Sequence, residues 1–115
     1  MQVKFTLPLA PTLNHHILRQ GNRYFPSQEY KIFQQEVKYR TIRLERFKAL
    51  PLEIYIGIHF KDNRRQDISN RIKCTEDALV KAGLFDDDSQ IIKMIVERLE
   101  NSNPPYMEVE IKSLG

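Results

Sequence analysis

The sequence predicts an α+β protein: a single small domain in which two main helices pack on a mixed or antiparallel sheet of about four strands, with a candidate hairpin beside them. Two observations carry this. At 115 residues the chain is long enough for one buried core and sits near the small end of the domain range. Along it, apolar residues alternate with period two in some stretches and recur every three to four positions in others, in the order strand, hairpin, helix, strand, helix, strand, strand.

Composition agrees, because 41% hydrophobic and 29% charged residues mark an ordinary globular protein, neither disordered nor collagen-like. No apolar stretch approaches the roughly 20 residues that span a bilayer, and the start MQVKFTLPLA lacks a secretion core. A cytoplasmic protein without membrane contact is expected. The single cysteine, Cys74, cannot form an internal disulfide and has no zinc framework around it, so it is read as a small buried side chain.

Val3, Phe5 and Leu7 alternate with Gln2, Lys4 and Thr6 as in a strand with one wet face, and Pro8 with Pro11 ends it. The run HHILRQGNRYF has turn residues at Gln20-Gly21-Asn22 between two half-apolar segments, the pattern of a hairpin. Ser27 is a suitable helix cap with Glu29 in the first turn. Tyr30, Phe33, Val37, Thr41 and Leu44 then follow at helical spacing, which predicts a helix from about 28 to 47. Leu52, Ile54, Ile56, Ile58 and Phe60 alternate strictly with Glu53, Tyr55, Gly57, His59 and Lys61, the clearest strand of the chain. After the basic run KDNRRQ, a second helix is predicted from Ile68 or Ser69 to Ala82, stopped by Gly83. Gln90 to Leu99 and Tyr106 to Lys112 read as two further strands turned by Asn101 to Pro105, with Met107, Val109 and Ile111 facing inward.

Charge is unevenly distributed. Residues 1–66 hold 12 Lys/Arg against 5 Asp/Glu, whereas residues 67–115 hold 6 against 10. A basic surface suits a polyanion such as nucleic acid, and an acidic cluster suits divalent cations. The second predicted helix joins the two. Asn70, Lys73 and Asp77 fall at i, i+3 and i+7, near one stripe, with Asp67 just upstream and Asp86-Asp87-Asp88 just beyond the helix. If the strand starting at Gln90 lies beside the N-terminal end of this helix, Asp67 meets Asp87 or Asp88 in a carboxylate pocket next to a lysine. Such a pocket suits magnesium, which takes hard oxygen ligands and is commonly held by one or two carboxylates and phosphate oxygens. Arg64 and Arg65 would then hold a nucleic-acid backbone. Plainer readings stay open here: Asp67 or Ser69 is simply the helix cap, Asp86 to Asp88 is a solvated loop guarding a strand edge, and His15 and His16 are polar surface.

The stretch DISNRIKCTEDALVKAGLFDDDSQI resembles the signature of the RusA family of Holliday-junction resolvases. That pattern is Asp-x-Asp-Asn, a lysine three residues after the Asn, Asp-Ala-Leu four residues later, an Ala-Gly helix end, then Asp-Asp-x-Gln. Asp67, Asn70, Lys73, Asp77-Ala78-Leu79, Ala82-Gly83 and Asp87-Asp88-Ser89-Gln90 fall on those places without a gap, a specific match of about 25 residues. Pro8, Pro11 and Asn14 resemble the family's proline and asparagine loop more loosely.

The resemblance implies that residues 1–115 form one endonuclease domain of a homodimer, which cuts four-way DNA junctions by paired nicks in recombination and repair. It implies magnesium as cofactor, with manganese as a substitute, and no organic cofactor. Carried over, Asp67 and Asp88 bind the metal and Lys73 is the essential lysine, with Asn70 and Asp77 in support. Arg64, Arg65, Arg71 and Asn14 are the expected DNA contacts. One place departs: Ser69 stands where the family has its second aspartate, exchanging a carboxylate for a weaker neutral ligand. Asp87, Asp77 or a water held by Ser69 and Asn70 are the groups available to compensate. Two other readings remain: a non-cleaving protein of the same fold that binds branched DNA, and a metal-dependent nuclease for another structured nucleic acid.

Overall fold

A computed structural model describes residues 1–12, 17–20 and 23–114. Its strands are β1 (Gln2–Pro8), β2 (Ile17–Gln20), β3 (Arg23–Pro26), β4 (Leu52–His59), β5 (Ile91–Arg98) and β6 (Tyr106–Ser113). Its helices are α1 (Gln28–Thr41) and α2 (Ile68–Lys81), and a short 3-10 turn covers Asp88–Gln90. The expected α+β class holds.

Four strands form one mixed sheet in the order β1-β6-β4-β5, while β2 and β3 pair as a separate two-stranded hairpin. β6 runs antiparallel to both β1 and β4, and β5 lies parallel to β4 with Ile54 beside Met94 and Ile56 beside Val96. A parallel pair needs a long crossover, and α2 supplies it. The hairpin expected around Gln20 is present in the backbone, with Gln20 opposite Arg23. The predicted turn residues Gly21 and Asn22, like Asn14, His15 and His16, lie outside the described residues.

The core lies between the helices and one face of the sheet. Leu52, Ile54, Ile56 and Ile58 of β4 are buried, with Met107, Val109 and Ile111 of β6 beside them, as the alternation predicts. Each such side chain contributes about 1.5–3 kcal/mol on burial. Against them α1 packs Tyr30, Phe33 and Val37, and α2 packs Ile72, Cys74, Ala78 and Leu79. Cys74 is buried as expected, and burial, reinforced by the nearby Asp77 and Glu29 charges, pushes its thiol up to about 12.

Both helices begin where the sequence places them. The Ser27 hydroxyl accepts the Tyr30 N–H at 3.1 Å, capping α1, and the surface pair Glu36–Arg40 closes at 2.7 Å. α1 nevertheless ends at Thr41 and not near 47. The Thr41 hydroxyl donates to the Val37 carbonyl at 2.9 Å, the chain turns at Ile42–Leu44, and the Phe47 N–H is taken by the Leu84 carbonyl at 2.9 Å. Phe47 is fully buried, so its tertiary anchorage overrides helical continuation. Gly83 has φ +81°, the left-handed stop expected after α2.

His59 is a second departure. The alternation puts it on the wet face of β4, yet it is 5% exposed. Its ring stacks on Tyr106 at 4.3 Å, and the chain beyond β5 bonds to this end of β4, the Leu99 N–H to the Ile58 carbonyl at 2.8 Å and the Glu100 carbonyl to His59 Nδ1 at 2.7 Å. Leu99 lies over Gly57 close enough that a Cβ there would run into it.

Candidate active site

The site is built at the two ends of the crossover from β4 to β5. At the entrance, Asp67 is the N-cap of α2, accepting the Asn70 N–H at 3.3 Å and also the Asn70 side-chain amide. Of the two capping candidates it is therefore Asp67, not Ser69, that closes the helix. Asn70 in turn holds the Asp67 carboxylate in a fixed orientation.

Lys73 lies about 9 Å further along the helix axis by the rise of six residues. Its Nζ is 3.0 Å from Asp88 Oδ2 and 3.4 Å from Asp77 Oδ1. A crossover helix runs back against its parallel strands, so the turn leading into β5 arrives toward the C-terminal half of α2, near Asp77, and the long Lys73 side chain reaches it from the middle of the helix. That is why Asp88 meets α2 at Lys73 and Asp77, and not at the N-terminal end where Asp67 sits. The hydrogen bond to Asp88 raises the Lys73 pKa above the usual lysine value; burial opposes this and the Asp77 charge assists. At neutral pH Lys73 is a fixed ammonium.

Asp77, Val80, Lys81, Asp87 and Asp88 line a surface depression of about 210 Å³ beside this pair. Glu76, unremarked in the sequence, is a half-buried neighbour whose carboxyl is shifted upward by burial, then by the Asp88 and Asp77 charges, with Lys73 pulling the other way. Its position three residues after Lys73 is the signal that points to it.

The acidic loop is held by Gln90. Its Oε1 accepts the backbone N–H groups of Asp86 and Asp87 at 2.8 and 2.9 Å, and its Nε2 donates to the carbonyls of Lys48 and Leu50 at 2.5 and 2.8 Å. One side chain thus fastens the turn to the segment before β4. Asp87 caps that turn, accepting from the Ser89 hydroxyl at 2.8 Å, a bond that also lowers the Asp87 pKa. Asp86 is exposed, as expected.

The basic groups divide. Arg64 and Arg65 lie exposed on the loop between β4 and α2, where Arg64 chelates the Asp62 carboxylate at 2.9–3.2 Å. Arg71, expected at the surface, is partly buried. Its Nη1 donates to the Ala10 carbonyl at 2.5 Å, its Nη2 to Gln66 Oε1 at 3.1 Å, and its guanidinium lies 5.8 Å from the Phe60 ring centroid. It ties the loop after β1 to the start of α2.

Among the described residues, no three His, Cys, Asp or Glu side chains converge closely enough to hold a metal ion. The donor chemistry still fits magnesium, since the carboxylates of Asp67 and Asp88 and the Ser69 hydroxyl are hard oxygens. Magnesium is commonly held by one or two carboxylates with waters and phosphate oxygens completing its shell. Among the described residues no helix is long and apolar enough to cross a membrane.

A small α+β domain that sets carboxylates and a fixed ammonium on its crossover helix, beside an exposed arginine loop, has the equipment of a nuclease acting on phosphodiesters. Comparison with known proteins narrows the class. The family model for Endodeoxyribonuclease RusA matches residues 7–112, and the chain belongs to the RusA family. The crossover junction endodeoxyribonuclease RusA of Escherichia coli strain K12 is 30% identical over 112 residues, covering 96% of this chain and 93% of that protein. Its namesake from Enterobacteria phage 82 is 32% identical over 113 residues with the same shares. That of Enterobacteria phage HK97 is 32% identical over 91 residues, covering 77% of this chain and 76% of its own.

Proposed function

We propose that this chain is a homodimeric, magnesium-dependent endodeoxyribonuclease that resolves four-way DNA junctions by paired nicks, in DNA recombination and repair. The observation that carries the reading is the Lys73–Asp88 contact at 3.0 Å, which joins the helical lysine of the family motif to its closing acidic segment. Two-fold symmetry suits the substrate, because a symmetric dimer presents two sites to two strands.

Asp67 with Ser69 at the start of α2, and Asp88 with Asp87 on the turn before β5, are the hard-oxygen groups from which an ion would be held, and that ion would supply a Lewis acid at the phosphate and a more acidic bound water. Lys73 has its proton at neutral pH, so its role is that of a cation, not a base: it steadies a phosphate oxygen or the charge that develops as the bond breaks. Asp77 orients the Lys73 ammonium at 3.4 Å, and Asn70 orients Asp67. Arg64 and Arg65, on the exposed loop, bind the DNA backbone, which supplies most of the affinity. Arg71 supports that loop from within, and the family likeness adds Asn14 as a DNA contact.

The test is incubation of the protein with a labelled synthetic four-way junction and with linear duplex, each with magnesium or chelator. Symmetric nicking of the junction, in magnesium only, is expected. Binding without nicking under any metal would instead make this a branched-DNA-binding protein with Ser69 as the cause. Equal cutting of duplex would make it a nuclease of another selectivity.

A further inference from the structure

The loop from Lys61 to Gln66 is where the proposed function puts its DNA-backbone contacts, and the turn after β5 grips it at several points. Arg98 Nη2 donates to the carbonyls of Asp62 at 3.0 Å and Arg64 at 3.2 Å. Asn101 Nδ2 donates to Asn63 Oδ1 at 2.8 Å, and the Ser102 N–H to the Phe60 carbonyl at 2.9 Å. The Arg98 guanidinium lies 4.7 Å from the centroid of the fully buried Phe60 ring, with Arg71 at 5.8 Å from the same centroid. Arg98 is thus spent on the protein's own backbone. Lys61, Arg64 and Arg65 crowd like charge onto this loop, relieved in part by the Arg64–Asp62 pair, so each bond from the turn after β5 adds to its order.

We infer that Arg98 and Asn101 are positioning residues for DNA binding: they preset the 61–66 loop so that Arg64 and Arg65 meet the phosphate backbone already ordered. The inference rests on the proposed function for the role of that loop. It sets Arg98 apart from a phosphate contact, because its Nη2 donates to two backbone carbonyls of the loop and one face of its guanidinium lies against Phe60. Preorganisation lowers the ordering cost of binding and leaves the number of phosphate contacts unchanged.

The experiment compares the parent chain with Arg98→Leu and Asn101→Ala, each first shown to be folded by its thermal transition. Asn101→Ala removes no charge, so it reads positioning even if Arg98→Leu fails to fold. Limited trypsinolysis read by mass spectrometry should show cleavage after Arg64 and Arg65 accelerated by about tenfold in both variants, as expected for a released loop. Affinity for a labelled four-way junction should fall by about 3- to 30-fold, with the slope of log K against log salt unchanged, whereas Arg65→Ala should lower that slope by about one. Single-turnover cleavage at saturating junction should stay at the parent rate. Unchanged trypsin protection, or a salt slope lowered by about one in Arg98→Leu, would overturn the inference. If the parent chain binds no junction while the variants lose protection, the functional reading fails, the positioning role falls with it, and only the grip on the loop stands.

Discussion

Lys73 reaches Asp88 at 3.0 Å across fifteen positions of sequence, so an ammonium on the crossover helix and a carboxylate on the following turn form one unit. Asp77 completes it at 3.4 Å. Changing either end of the pair should separate chemistry from binding. Asp88→Asn should abolish junction cleavage with affinity retained within a few-fold, and Lys73→Met should slow single-turnover cleavage by about 10²- to 10³-fold, the usual cost of losing one charge-stabilising group. Gel shift in chelator and cleavage in magnesium, run on the same preparations, check both. Normal cutting by Asp88→Asn would remove that residue from the site.

Ser69 offers the complementary gain. Ser69→Asp adds a hard anionic ligand next to Asp67, so the magnesium concentration for half-maximal cleavage should fall while the saturated rate is maintained or raised. A titration of cleavage against magnesium reads this directly. An unchanged midpoint would mean that position 69 does not face the ion.

Gln90 makes four side-chain hydrogen bonds, two to the acidic turn at Asp86 and Asp87 and two to the segment before β4 at Lys48 and Leu50. Gln90→Ala should cost about 1–3 kcal/mol of stability, since each bond is worth about 1 kcal/mol net and the site is partly exposed. Cleavage should weaken as the Asp88 turn loosens. A shift of the urea midpoint at constant slope is the measurement.

His59 gives stability a pH dependence of known sign. Its Nδ1 faces the Glu100 carbonyl at 2.7 Å and its Nε2 the Glu108 carboxylate at 2.5 Å, both acceptors, so the imidazolium with two N–H groups satisfies both. The Glu108 hydrogen bond raises the His59 pKa most, against the opposing effect of burial. A raised folded value means that this stabilisation is complete below the unfolded histidine pKa, about 6.5, and is lost as pH rises through the folded value. Unfolding midpoints measured from pH 5.5 to 8.5 should therefore show a contribution that declines upward in the parent and is absent in His59→Gln.

Much of this molecule is legible from residue pattern alone. Period-two alternation found β4 and the inward face of β6, Ser27 announced the start of α1, and Gly83 marked the end of α2. What the pattern missed was decided by contacts remote in sequence. Nothing local ends α1 at Thr41; Phe47 does so by burying itself and bonding to Leu84. His59 has the alternation of a wet residue but is covered by Tyr106, and Arg71 has the look of a phosphate contact but is occupied by Ala10 and Gln66. In the site, the motif residues were readable by spacing, whereas the point at which Asp88 meets α2 followed from the strand order, which spacing does not reveal.

The parallel pairing of β4 with β5 confines Asp67, Lys73, Asp77 and Asp88 to a single strand–helix–strand segment, while β1 and the hairpin stand outside it. The groups proposed for chemistry and for backbone contact, from Arg64 to Asp88, therefore come from one contiguous stretch of the gene, and Arg71 ties that stretch to the loop after β1 through the Ala10 carbonyl.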